Sequence, residues 1–172
     1  MIKVEDLSDI YEVRRLGRAD VPAVLALCRG NPLYYEYCPP RPSKEGILQD
    51  MSALPAGKGK EDKYYLGFFS GGNLAAVTDL ILGYPKKDTV WIGFFIFFQA
   101  LQGQGKGSRM IAEACSFFSE QGFERVELAY ARGNEQSSHF WRKNQFLETG
   151  RQVSCDGFTA VVMGKWLEKK SS

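Results

Sequence analysis

Residues 102–107 read Gln-Gly-Gln-Gly-Lys-Gly and stand directly between a strongly apolar run, residues 91–98, and an amphipathic segment, residues 108–121. The apolar run is rich in aromatic residues and reads as a strand buried on both faces. The segment after the glycines repeats apolar residues at three-to-four spacing, through Met110, Ile111, Ala114, Phe117 and Phe118, and reads as a helix packed on a sheet. Gly122 followed by Phe123 supplies a left-handed stop with its hydrophobic contact. The glycines therefore form a strand-to-helix turn with almost no side-chain bulk. Backbone N–H groups of Gly103, Gln104, Gly105, Lys106, Gly107 and Ser108 can converge on one anion, and the helix directs its positive end at the same point. A phosphate-bearing ligand is expected there, with Lys106 either adding charge at the rim or serving as a surface lysine.

Spacing decides which phosphate ligand. A Walker loop needs a glycine five positions before the lysine and a Ser or Thr after it, whereas Leu101 and Gly107 hold those places. A dinucleotide fingerprint needs Gly-x-Gly-x-x-Gly after a first strand, but Gly103, Gly105 and Gly107 are evenly spaced and fall late in the chain. The pattern that fits is Gln/Arg-x-x-Gly-x-Gly/Ala, with Gln102, Gly105 and Gly107 in its fixed places. Downstream, Asn134, Ser137, Phe140, Trp141, Lys143 and Phe146 fall on the pattern Asn-x-x-Ala-x-x-Phe-Tyr-x-Lys-x-Gly-Phe with three departures, Ser137 for alanine, Trp141 for tyrosine and Gln145 for glycine. Taken in this order, the two motifs resemble those of the GNAT superfamily of N-acetyltransferases. A glycine-rich turn arising for steric reasons alone is the competing reading of the first motif, and the second motif weighs against it.

Periodicity gives the rest of the chain. A first strand at residues 11–16 precedes a helix begun by Asp20 and Pro22, with Asp20 expected to cap the first turn and Val21, Val24, Leu25 and Cys28 on its apolar face. Tyr34, Tyr35 and Tyr37 fall in an irregular connection, and a second helix runs over residues 44–54, capped by Ser43. A hairpin around Gly71 and Gly72, the strand at 91–98, a strand at 125–131, a helix at 134–143 and a closing hairpin around Asp156 and Gly157 follow. The expectation is one α/β (α+β) domain over residues 1–172 in which a central, mixed, mostly antiparallel sheet of about seven strands is flanked by about four helices. That order matches the GNAT fold over nearly the whole chain, with residues 1–9 and 168–172 outside it.

Composition excludes other classes. The 172 residues suffice for one core, and 44% hydrophobic with 24% charged residues is ordinary for a globular chain. A net charge of +2, with short basic groups such as Lys169-Lys170, gives no reason to expect nucleic acid. Cys28, Cys38, Cys115 and Cys155 lack Cys-x-x-Cys pairing and His139 is the sole histidine, so no metal site is expected. No apolar stretch reaches membrane-spanning length and the N-terminus has no signal-peptide core, which makes a reduced cytoplasm the expected location.

The resemblance implies that acetyl-CoA is the cosubstrate, with its pyrophosphate at residues 102–108 and Gln102 supplying an amide. It places the pantetheine arm along Phe95, Ile96 and Phe97, with the Phe97 N–H as oxyanion donor, and Asn134 and Ser137 beside it; Asn134 equally suits a helix N-cap. Trp141 stands where the family has a tyrosine acid, and an indole N–H donates a hydrogen bond without being a proton source. Gln145 leaves Asn144 as the residue expected in a left-handed conformation. An acceptor amine must lose a proton before it attacks. Asp79, interrupting an apolar strand, is the first candidate base, with a bond to a backbone group or tyrosine as the other reading; Glu127 is the second, with a solvent-facing position as its other reading. The function expected is direct acetyl transfer to an amine in a ternary complex, and the alternative is a non-catalytic acyl-CoA sensor. A small-molecule or peptide amine is the expected acceptor, and the closing strand leaves a homodimer open.

Overall fold

The computed structural model describes residues 1–169; Lys170 and the last two residues of the expected outlying tail lie outside the described residues. Twelve principal elements follow one another: β1 (Glu12–Arg15), α1 (Val21–Arg29), α2 (Pro32–Tyr37), α3 (Lys44–Ser52), β2 (Lys63–Ser70), β3 (Asn73–Leu82), β4 (Thr89–Phe97), α4 (Lys106–Glu120), β5 (Arg125–Ala131), α5 (Glu135–Lys143), β6 (Leu147–Cys155) and β7 (Phe158–Trp166). The strands form one seven-stranded sheet in the order β1-β2-β3-β4-β5-β7-β6. All neighbours are antiparallel except β4 and β5, whose connection carries α4 across the sheet. The sheet is therefore mixed and mostly antiparallel, as expected.

Two apolar layers hold the helices to the sheet. On one face Met110, Ile111, Phe117 and Phe118 of α4 pack with Trp141 and Phe146 against Leu66, Leu80, Val90 and Leu128. On the other, Val24, Leu25 and Cys28 of α1 and Ile47 of α3 cover Tyr65, Val77 and Ile96. The N-terminal residues expected outside the fold contribute as well: Val4 and Leu7 are buried in the α4 layer, and Ser8 Oγ donates to Glu113 Oε2 at 2.8 Å.

Local signals hold with three corrections. Ser43 caps α3 by accepting the Gly46 N–H, and Gly122 ends α4 at φ 91° with the Phe123 N–H returning to the Phe118 carbonyl. Asp20 does not cap α1; Arg14 and the Gly17 N–H occupy its carboxylate. The aromatic connection after α1 is a further short helix, α2, begun by Pro32. The left-handed residue after α5 is Gln145, at φ 70°, because Asn144 spends its amide on Ser108 Oγ and the Phe140 carbonyl.

One irregularity positions the site. In the β3–β4 ladder Asp79 opposes Phe94 and Leu80 opposes Ile92, so Gly93 is the extra residue of a bulge. The bulge resets the alternation: Val90 and Ile92 face the α4 layer, and past Gly93 Phe95 and Phe97 face it again while Phe94 and Ile96 face α1. Pairing of β4 with β5 runs from Thr89↔Arg125 to Ile92↔Leu128 and stops there. Beyond Gly93 the two parallel strands part.

Candidate active site

The glycine loop closes the open end of this gap. Gly103 and Gly105 hold φ of 77° and 73°, conformations that side chains rarely adopt, and a Cβ on either meets no protein atom within 4 Å. Gly105 is the residue before α4, so the unpaired first-turn N–H groups of Lys106, Gly107 and Ser108 are presented at the loop. Gly107 is glycine for a different reason: its Cβ would stand 3.3 Å from Phe140 Cε2, so the close approach of α4 to α5 requires it. The Ser108 hydroxyl accepts from Asn144 Nδ2 at 3.1 Å, a second tie between these helices. Gln102 lines the cleft, with its amide held by the protein. Its amide nitrogen donates to the Phe97 carbonyl and to Asn31 Oδ1, both at 2.9 Å, and Asn31 Nδ2 donates to the same carbonyl at 3.2 Å. Gln102 thus braces the loop against the strand end, and Asn31 at the α1–α2 corner shares the task.

Between the loop and the parted strands lies a cleft of about 450 Å³ that reaches from Gly103, Gly105 and Ser108 to Phe95, Phe97 and Trp141. It meets a second cavity of about 220 Å³ wedged between β4 and β5, lined by Gly93, Phe94, Leu128 and Ala129 among others. The Phe98 N–H donates to the Ala75 carbonyl at 2.7 Å, which by antiparallel alternation turns the N–H groups of Phe95 and Phe97 away from β3 and toward the wedge. Ile96 sits in the α1 layer, so its part in the cleft is backbone only. Asn134 is buried, and its Oδ1 accepts the Ser137 N–H at 3.1 Å: it caps α5 while lining both cavities. Trp141 is 6% exposed and packs edge-on against Phe95, Phe140 and Phe146, a wall between the cavities and the core.

The two candidate bases separate. Asp79 pairs with Lys63 Nζ at 2.7 Å, while its Oδ1 is buried without a hydrogen-bond partner. Its partner is a lysine, where a backbone group or tyrosine was the competing expectation. Burial pushes the carboxyl above the ordinary carboxylate range against the opposing pull of Lys63. A Cβ on Gly93 would lie 3.1 Å from Asp79 Oδ2, so glycine at the bulge keeps the strip between this carboxylate and the wedge free of side chain. Glu127 is buried beneath two arginines, bonded by Arg125 Nε at 2.8 Å and by Arg151; like Asp79 it lines neither cavity, and it lacks the Gly93 approach to the wedge. Its carboxylate is a structural anion of β5. His139 is exposed and lines the cleft, while Tyr34 lines both cavities; the tyrosines of that connection suit either an acceptor pocket or the core by sequence alone, and Tyr34 takes the first of these places.

A strand-to-helix glycine turn at the N-terminus of α4, with a pair of parallel strands that part behind it, frames a candidate site for an acyl-CoA. The acetyltransferase (GNAT) family matches residues 30–146, and the chain belongs to that family. It is an acetyl-CoA-dependent N-acetyltransferase. Solved structures agree on the fold. An acetyltransferase from Thermus thermophilus superposes with a TM-score of 0.73 at 18% identity, covering 91% of this chain and 97% of its own. The paiA N-acetyltransferase from Thermoplasma acidophilum, in complex with coenzyme A, gives 0.65 at 18% identity over 91% and 98%. RimL, a ribosomal alpha-N-protein acetyltransferase in complex with coenzyme A, gives 0.69 at 18% identity over 98% and 100%. No curated protein matches the chain in sequence. Among the described residues no helix is long and apolar enough to cross a membrane, and no group of His, Cys, Asp and Glu is arranged to hold a metal ion.

Proposed function

We propose that the chain transfers acetyl directly from acetyl-CoA to a primary amine within a ternary complex, and that the observation carrying this reading is the meeting of the cleft with the wedge at their common lining of Tyr34, Phe95, Asn134, Ser137 and Trp141. The cleft takes the CoA arm: the first-turn N–H groups from Gly105 to Ser108 cradle the pyrophosphate, helped by Lys106, and the exposed edge at Phe95 and Phe97 pairs with the pantetheine beside Asn134 and Ser137. When bound, acetyl-CoA supplies the activated carbonyl. The Phe97 N–H polarises it and holds the negative oxygen that develops on attack. Trp141 positions the arm by packing.

The acceptor enters the wedge. Asp79, whose raised pKa suits it to accept a proton from an ammonium, is the base, reached past Gly93. Direct transfer is supported by the state of the thiol that lines the wedge: burial raises the Cys38 pKa, which leaves it a neutral, poor nucleophile. Leu147, Val153 and Trp166, exposed at and beside the edge strand β6, support a homodimer. The experiment is calorimetric titration of acetyl-CoA followed by thiol-release assays over a panel of amines. Turnover that persists in the variant with all four cysteines changed to alanine is the expected result; trapping an acetylated cysteine would overturn the direct route.

A further inference from the structure

The departing thiolate needs a partner, and Trp141 cannot be an acid. A thioester whose pyrophosphate end lies at the glycine loop and whose acetyl group lies in the wedge has its sulfur where the two cavities meet. Five residues line both: Tyr34, Phe95, Asn134, Ser137 and Trp141. Tyr34, Asn134, Ser137 and Trp141 carry hydrogen-bond donors, and the Tyr34 phenol is the most acidic of them.

Tyr34 is well held for such a task. It comes from α2, which Pro32 starts and which closes with the Cys38 N–H on the Tyr34 carbonyl at 3.0 Å. Its ring meets Tyr35 edge-on at 4.9 Å and Phe94 of β4 at 5.5 Å. Cys38, one helical turn further on, lines the wedge beside it. Burial first, then Cys38, push the phenol well above its ordinary value, with Asp50 and Cys28 the other titratable neighbours. The phenol is therefore a neutral donor throughout the working range of the enzyme.

Building on the acetyl-transfer reading, we propose that the Tyr34 hydroxyl is the hydrogen-bond donor to the departing CoA sulfur, so that the leaving group is received by α2 and not by α5. The acceptor nitrogen forms its bond to the acetyl carbon, the C–S bond breaks and its electron pair goes to sulfur. Tyr34 donates its O–H to that thiolate. A proton released by the acceptor nitrogen then neutralises the sulfur, and CoA leaves as the thiol.

The test compares wild type with Tyr34→Phe, which keeps the ring packing, and with Tyr35→Phe, at a neighbouring tyrosine that packs in the α1 layer and lines neither cavity. The first readout needs no turnover: the pKa of the thiol of bound CoA, followed by the ultraviolet absorbance of the thiolate. A hydrogen bond to a charged group corresponds to roughly a 10- to 100-fold effect, so the bound thiol is expected to titrate about one to two units lower in wild type than in Tyr34→Phe. The same factor is expected in kcat, with the KM for acetyl-CoA within about twofold. Tyr35→Phe is expected to match wild type in both. Equal thiol pKa values in wild type and Tyr34→Phe would overturn the assignment even if kcat fell. Calorimetry distinguishes the deeper failure, because CoA that does not bind wild type would overturn the acetyl-transfer reading itself.

Discussion

Gly105→Glu isolates the anion cradle from the fold that carries it. The residue sits at φ 73° with no protein atom within 4 Å of the place a Cβ would take, so the substitution collides with nothing and its structural cost is the left-handed backbone, about 1–2 kcal/mol. For a chain of this size that lowers Tm by roughly 2–8 °C. Binding should suffer far more. A carboxylate about 5 Å from a pyrophosphate charge, at an effective dielectric near 20, opposes it by about 3 kcal/mol, which is about two orders of magnitude in Kd. Gly57→Glu is the control: φ is 81°, the space is equally open, and the loop lies away from both cavities. Both variants are expected to melt alike, and only Gly105→Glu to lose acetyl-CoA in a calorimetric titration. The reasoning is refuted if Gly105→Glu binds within about threefold of wild type, or if Gly57→Glu loses affinity equally.

Three further changes probe the site. Asp79→Asn is expected to lower kcat/KM about 10²- to 10⁴-fold near neutrality, with the defect shrinking as pH rises and the free amine accumulates; because burial raises the Asp79 pKa, the wild-type profile should fall as pH drops through a value above the ordinary carboxylate range, and this limb should vanish in the variant. Parallel profiles would remove Asp79 from the chemistry. Gly107→Val must push Phe140 aside, since even a Cβ stands 3.3 Å from its ring, so chemical denaturation should show a loss of about 1–3 kcal/mol together with weaker acetyl-CoA binding. Glu127→Ala strands the Arg125 guanidinium and should cost about 2–3 kcal/mol, less than a fully buried pair because Arg151 is half exposed, while turnover per folded molecule stays near wild type.

The parts of the site legible in the sequence are those carried by backbone conformation. Gly103, Gly105 and the α4 stripe specify a turn and a helix N-terminus with no knowledge of what packs against them, and Asn134 announces a cap by its position before an amphipathic segment. What stayed hidden depends on pairing between distant elements. Gln102 looks like a ligand residue until the Phe97 carbonyl and Asn31, from another helix, are found to hold it. Asp79 and Glu127 are both acidic residues on apolar strands, and only their partners, one lysine against two arginines, tell them apart. Tyr34 is one tyrosine in a cluster of three by sequence, and of those three only it lines both cavities among the described residues.

The extra residue at Gly93 makes the sheet an unfinished one. Removing it would restore strict alternation along β4, with Phe94 following Ile92 directly, and let the ladder with β5 continue past Ile92, where it now ends. The repaired sheet would gain backbone hydrogen bonds and close the wedge between β4 and β5, where the proposed mechanism brings acetyl group and amine together. In this chain the capacity to react is thus encoded as a counting error, a single residue by which one strand outruns its neighbour, and a deletion that improved the architecture would silence the enzyme.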